Sequence, residues 1–134
     1  VIPIELTPDL ITHVRTIDEQ NEELFCRLSA LTAHWAHSVT REETEKALDL
    51  LNNHIIKHFA DEEALQLMSA YPQYEQHHGL HKNFIAEFQS LREEYKRNGF
   101  SAMFAFKLNR SIIDWLVKHI RTADVEFGKF MNKK

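Results

Sequence analysis

The chain has 134 residues, 43% of them hydrophobic and 27% charged, with nine His but only three Gly, three Pro and one Cys. That length suits one domain with a real core, and so few Gly and Pro argue against an all-β fold and against disorder. A single Cys excludes a disulfide framework or a thiolate-rich metal site, and a net charge of −4 without a basic stripe argues against nucleic acid or an anionic membrane as partner.

Pro3 and Pro8 mark an extended N-terminal arm over about residues 1–16. Beyond it, apolar residues recur at spacings of three and four, which predicts helices over about 18–38, 41–69, 73–97 and 101–131. The first stripe runs through Ile17, Leu24, Leu28, Leu31 and Trp35, with Thr16 and Asp18 as candidate N-caps. Leu48, Leu51, Ile55, Phe59 and Leu65 form the second, opened by Thr40 and Glu43 as a capping box. A turn at Tyr71-Pro72 leads into a third stripe of Tyr74, Phe84, Phe88, Leu91 and Tyr95. After a second turn at Asn98-Gly99, Leu108, Ile112, Trp115, Leu116, Ile120, Phe127 and Phe130 form the fourth. The expected architecture is all-α: a single-domain, antiparallel up-down-up-down four-helix bundle that leaves no room for an output module. No apolar run approaches the roughly 20 residues of a membrane span, and no segment resembles a signal peptide, so a cytoplasmic location is expected. Nothing in the sequence specifies an oligomeric state.

The informative residues are polar ones in phase with these apolar stripes. His58 and Glu62 continue Leu51 and Ile55; His77 and His81 lie between Tyr74 and Phe84. His119 follows the edge of Ile112 and Trp115, while Asp124 belongs with Leu116, Ile120 and Phe127. Burying such groups is costly unless each is paired or binds a metal. Residues four apart on a helix differ by about 40° and 6 Å, so His58 with Glu62, and His77 with His81, can each reach one centre. His119 and Asp124 are five apart, about 140° round an ideal helix, and need a broad inward face, a long reach or a local widening of the helix. Four imidazoles and two carboxylates without thiolate suit iron, and less specifically manganese or zinc; two carboxylates can also bridge a pair of ions.

Blander readings compete with this one. A lone inward His is usually a hydrogen-bonded core residue, and a single HxxxH occurs often by chance. It is the six in-phase positions on three stripes that favour a metal. Zinc-protease chemistry lacks its HExxH, and the ferritin-like pattern of two ExxH motifs finds only Glu75 to His78. Cys26 reads as a small core or boundary residue, and His78 as surface. His34 and His37 read as residues favouring the C-terminal end of the first helix.

At these residues the sequence resembles the hemerythrin family, the bacterial hemerythrins in particular. The matching segments are IDEQN (17–21), HFADEE (58–63), YPQYEQHHGLHKNF (71–84) and WLVKHIRTAD (115–124), with TPDL (7–10) in the arm. The resemblance implies two non-haem iron ions with a bridging oxo or hydroxo group, no haem, and O₂ or another small molecule as ligand. It implies that His77, His81 and His119 ligate one iron and His58 the other, with Glu62 and Asp124 bridging. Phe59, Trp115, Leu116 and Ile120 match the apolar wall of the family's O₂ pocket.

One position departs. Where the family has I-D-x-Q-H, this chain has Asn21, an altered ligand position at the iron that by family analogy leaves a site open for O₂. Asn21 is expected to face inward, where its amide binds weakly or holds a water. His54, one turn before His58, reads first as boundary packing, next as a hydrogen-bond or proton-relay partner outside the ligand set, and last as a ligand that compensates for Asn21. The leading expectation is an O₂-binding or O₂-sensing protein. Next comes a di-iron enzyme reducing O₂, peroxide or nitric oxide at the more open iron, and then a metal-holding bundle without O₂ chemistry.

Overall fold

A computed structural model describes residues 6–34 and 40–133 of the chain. Pro3 of the arm, and Trp35 and His37 of the first predicted helix, lie outside the described residues, as does the side chain of His34. Three helices, α1 (Arg15–His34), α2 (Arg41–Met68) and α3 (Tyr74–Asn98), are followed by a fourth continuous rod. That rod comprises α4 (Ala102–Lys107), a π-helical stretch (Leu108–Asp114), α5 (Trp115–His119), a second π-helical stretch (Ile120–Asp124) and α6 (Val125–Asn132). No strand occurs among the described residues.

Cross-helix contacts define the antiparallel order. Going forward along α1, Gln20 bonds His58 and Glu23 pairs with His54, so α2 runs backward beside it. Glu62 meets His77, and Asn52 meets Gln89, between α2 and α3. Phe84 stacks on Trp115, and Tyr95 packs at a tilt against Phe104, between α3 and the rod. Asn21 reaches Asp124 to close the ring. The expected up-down-up-down bundle is therefore the observed fold.

The helix starts follow local chemistry. Thr40 accepts from the Glu43 N–H at 3.0 Å and Ser101 from the Phe104 N–H at 3.0 Å, two side-chain N-caps. Gly99, at φ 70° and ψ −162°, takes a positive-φ conformation that favours glycine and ends α3. Asp18 departs from expectation, because α1 starts three residues before it. Its carboxylate turns back and accepts from the Thr12 N–H (2.9 Å), the Thr12 hydroxyl (2.8 Å) and the His13 N–H (3.1 Å), clasping the arm.

Most stripe residues fill one core of Leu, Ile and Phe side chains from all four helices. Two positions differ from the sequence reading. Cys26 is exposed on α1. Leu65 is only half-buried, and the inward position beside it belongs to Gln66. Both residues satisfy three/four spacing after Glu62, and hydrophobicity alone selects the wrong one.

The arm is held by close backbone approach. A β-carbon on Gly128 would run into the Thr12 carbonyl oxygen, and Asn132 bridges the two strands of chain by donating to Thr12 O (3.3 Å) and Gly128 O (2.7 Å). Gly128→Ala is expected to cost about 2 kcal/mol by overpacking. The measurement is the thermal midpoint; an unchanged midpoint would show that the arm is not packed against α6.

Candidate metal centre

The polar residues that interrupt the apolar stripes meet at one level of the bundle. Glu62 from α2, His77 and His81 from α3, His119 from α5 and Asp124 at the end of the second π stretch each offer one ligand atom, and these atoms lie within 4.8 Å of one another. All five residues are buried. The Nε2 atoms of His77 and His81 are both 3.1 Å from Glu62 Oε1. Asp124 Oδ1 lies 3.2 Å from His77 Nε2 and 3.1 Å from His119 Nε2. His119 Nε2 is 3.3 Å from His81 Nε2.

The π-helical turn explains how His119 and Asp124 share this cluster. In Ile120–Asp124 the bonding shifts to i→i+5, as where the Val125 N–H reaches Ile120 O, so residues five apart stack on one face. The local widening that the spacing requires is built into the rod at that point.

The donor set tests as a cation site. Among the described residues, five buried side-chain atoms have no hydrogen-bond partner: Asn21 Oδ1, Glu62 Oε2, Asp124 Oδ1 and both amide atoms of Gln66. Four of these are electron-pair donors without a proton to accept. Asp124 Oδ1 has two imidazole nitrogens near 3 Å yet aligns with neither as a hydrogen bond. Free carboxylate oxygens on Glu62 and Asp124, beside three buried imidazoles, fit a bound metal ion.

The buried imidazoles and carboxylates set one another's charge. Burial disfavours the imidazolium of His77, but the adjacent carboxylates of Asp124 and Glu62 outweigh it and hold His77 up at about 9. His81 is raised in the same way, burial being outweighed by Glu62 and Glu63. Asp124 is held well below the ordinary carboxylate range: burial pushes it up, and His119 and His77 pull it down further.

His58 stands beside the five-residue group rather than in it. Burial pushes its pKa down, against the pull of the Glu62 and Asp124 charges. Its Nδ1 sits 2.7 Å from Gln20 Oε1, which fixes the ring, and Gln20 is itself tied to Asp61 at 2.8 Å. His54 lies one turn away, 2.6 Å from a Glu23 oxygen through Nδ1 and 3.1 Å from Gln20 O through Nε2. It stacks near His58 with ring centroids 6.3 Å apart and belongs to the surrounding hydrogen-bond network. Asn21 does face inward, fully buried, with Nδ2 3.4 Å from Asp124 Oδ2.

Three residues that sequence reasoning did not single out support the cluster. Gln20 orients His58. Glu63 accepts from His81 Nδ1 at 2.7 Å and from His78 Nδ1 at 2.6 Å, which ties the partly exposed His78 to the site. Gln66 lies buried on α2, one turn beyond Glu62. Gln20 and Glu63 each sit one position from an inward residue, on helix faces that look solvated until the neighbouring helix is in place.

Aromatic and aliphatic side chains seal the cluster. Phe59 stacks on His81 with centroids 3.8 Å apart and planes 1° from parallel, and Trp115 stacks on His119 at 4.5 Å. Leu116 and Ile120 are each 1% exposed. Clefts of about 230 and 190 Å³ between α3 and the rod reach His77 and His119.

A four-helix bundle that gathers three imidazoles and two carboxylates in its core, with acceptor atoms left over, defines a metal-binding bundle. Comparison with known proteins narrows the class. Residues 12–130 match the family model "Hemerythrin HHE cation binding domain". The chain is 26% identical over 117 residues to a bacteriohemerythrin of Methylococcus capsulatus, covering 87% of each chain. It is 28% identical to a bacteriohemerythrin of Campylobacter jejuni, covering 88% of this chain and 87% of the relative. A hemerythrin of Sipunculus nudus is 30% identical over 86% of this chain and 82% of its own length. The chain belongs to the hemerythrin family. No helix among the described residues is long and apolar enough to cross a membrane.

Proposed function

We propose that this chain is a non-haem di-iron protein of the hemerythrin family that binds or senses O₂. The observation that carries the reading is the convergence of five buried ligand atoms with oxygens left unsatisfied. In this assignment His77, His81 and His119 would hold one iron and His58 the other, with Glu62 and Asp124 as the carboxylates the two would share. A bound iron pair supplies the electrons for reversible O₂ binding. The protein's part is to fix the ligands and keep water out. Glu63 and Gln20 lock the rings of His81 and His58, so the imidazoles present one nitrogen each. Phe59, Trp115, Leu116 and Ile120 form the apolar wall of the O₂ pocket.

Asn21 sets this chain apart at the iron assigned to His58. A carboxamide oxygen is a weaker donor than imidazole, so that iron is more open to water. This one residue favours a second reading, in which the more open iron reduces O₂, peroxide or nitric oxide.

Metal analysis with absorption spectra through cycles of oxygenation distinguishes these outcomes. Two irons per chain with bands that return on each cycle support O₂ binding. Bands that bleach while peroxide is consumed support the enzyme. One metal per chain, insensitive to O₂, would overturn both.

A further inference from the structure

Metal ions account for the free oxygens of Glu62 and Asp124, but not for Gln66. This residue shares the inward face of α2 with Glu62 and is 0% exposed, with neither amide atom hydrogen-bonded. Its backbone is firmly placed: Gln66 O accepts from the Tyr71 N–H at 2.9 Å and from the Ser69 hydroxyl at 3.2 Å. Its neighbour Leu65 packs against a small apolar cluster of Ile17, Tyr71 and Phe127. An apolar residue would suit this level of the bundle without cost, whereas a buried amide without partners is destabilising.

The donor count shows what the amide can do. Of the five unpartnered atoms only Gln66 Nε2 carries hydrogen; the others are oxygens. A water can accept from Gln66 Nε2–H and donate to Glu62 Oε2. Its second hydrogen remains for Asn21 Oδ1 or Gln66 Oε1, which gives the two to four polar partners a buried water requires. Residues four apart on a helix are about 6 Å apart, a span that one water bridges.

We infer that Gln66 is a positioning residue of the metal centre, holding a buried water against the free oxygen of Glu62 and thereby fixing that carboxylate between the metal ions. The inference rests on the di-iron reading. Gln66 touches neither O₂ nor iron and acts through Glu62.

The test is Gln66→Leu, which has no ligand atom, with Gln66→Met as a second variant closer in shape. Two quantities are read: the urea midpoint of the metal-free chain, and the rate at which a chelator removes ferrous iron from the loaded chain under nitrogen. The metal-free midpoint should rise, because burying an amide that only a water satisfies is less favourable than burying an apolar side chain, while iron loss accelerates by about tenfold. Opposite effects on the two forms are the signature of a residue that works only when metal is bound. Unchanged iron loss in both variants overturns the inference, as do changes of the same sign in both forms, which mark a purely structural residue. A wild-type chain that takes up no iron removes the di-iron reading and this inference with it. A wild-type chain with two irons, and variants that hold them as firmly, removes this inference alone.

Discussion

Asn21→His is expected to slow chelator-driven loss of ferrous iron by at least about tenfold and to slow oxidation of the loaded protein by O₂ by a similar factor. The position is prepared for a ligand: Asn21 is fully buried on α1, faces Asp124, and leaves its Oδ1 without a partner. An imidazole there adds a nitrogen donor to the iron assigned to His58 and displaces the water that a carboxamide tolerates. The metal-free chain should respond in the opposite direction, because a larger ring in a packed core costs about 1–3 kcal/mol when no metal draws it into place. Chelator kinetics, oxidation kinetics and the metal-free urea midpoint are measured together. Equal iron retention and equal oxidation rates in the two proteins would show that position 21 does not contact the metal.

How much of this site can be read from the sequence depends on which physical rule each residue obeys. His58, Glu62, His77 and His81 follow α-helical phase, and all four are buried as that phase requires. His119 and Asp124 break it. Their five-residue spacing makes sense only with the π turn at Ile120–Asp124, and no propensity in IRTAD signals that turn. Leu65 and Gln66 compete for the same inward place, and a pattern rule based on hydrophobicity favours the leucine. The winning residue is the amide, whose value depends on the cluster one turn away. Asp18 reads as a cap for its own helix because Asp is common there. Its partners are instead backbone groups of the arm, which local sequence cannot foresee. Gln20 and Glu63 are the hardest, since their roles exist only once the histidine-bearing helix packs beside them.

What stabilises the bundle is distinct from what the bundle is for. Leu, Ile and Phe side chains from all four helices form a continuous core. Within it sit two carboxylates and at least three imidazoles at close quarters, a group that an apolar core of equal volume would make dispensable for stability. Retaining it is explained by ligand binding, and the protonation of the metal-free cluster then becomes a measurable imprint of the metal's absence.

That imprint gives the second large prediction. His77 is held at about 9 in the folded, metal-free chain, against an ordinary value of 6.5. A folded-state pKa above the unfolded one means that folding binds a proton, so the contribution is complete below about pH 6.5 and is lost as pH rises through about 9. The rise corresponds to about 3 kcal/mol, shared with the carboxylates of Glu62 and Asp124 and counted once. The urea midpoint of the metal-free protein should therefore fall between about pH 6.5 and 9.5. Asp124, depressed by the same contacts, has the opposite sign, and its contribution is lost on the acid side, as pH falls below the ordinary carboxylate value of 3.8. With His77 as a ligand, a bound iron would take the place of the proton, since a ligating imidazole must be neutral. The loaded protein should show no such loss across about pH 6.5–9.5, and iron uptake at neutral pH should release protons into a weakly buffered solution. His77→Gln should flatten the metal-free profile. A metal-free midpoint that is level or rising over this range would show that His77 is not charged between Glu62 and Asp124.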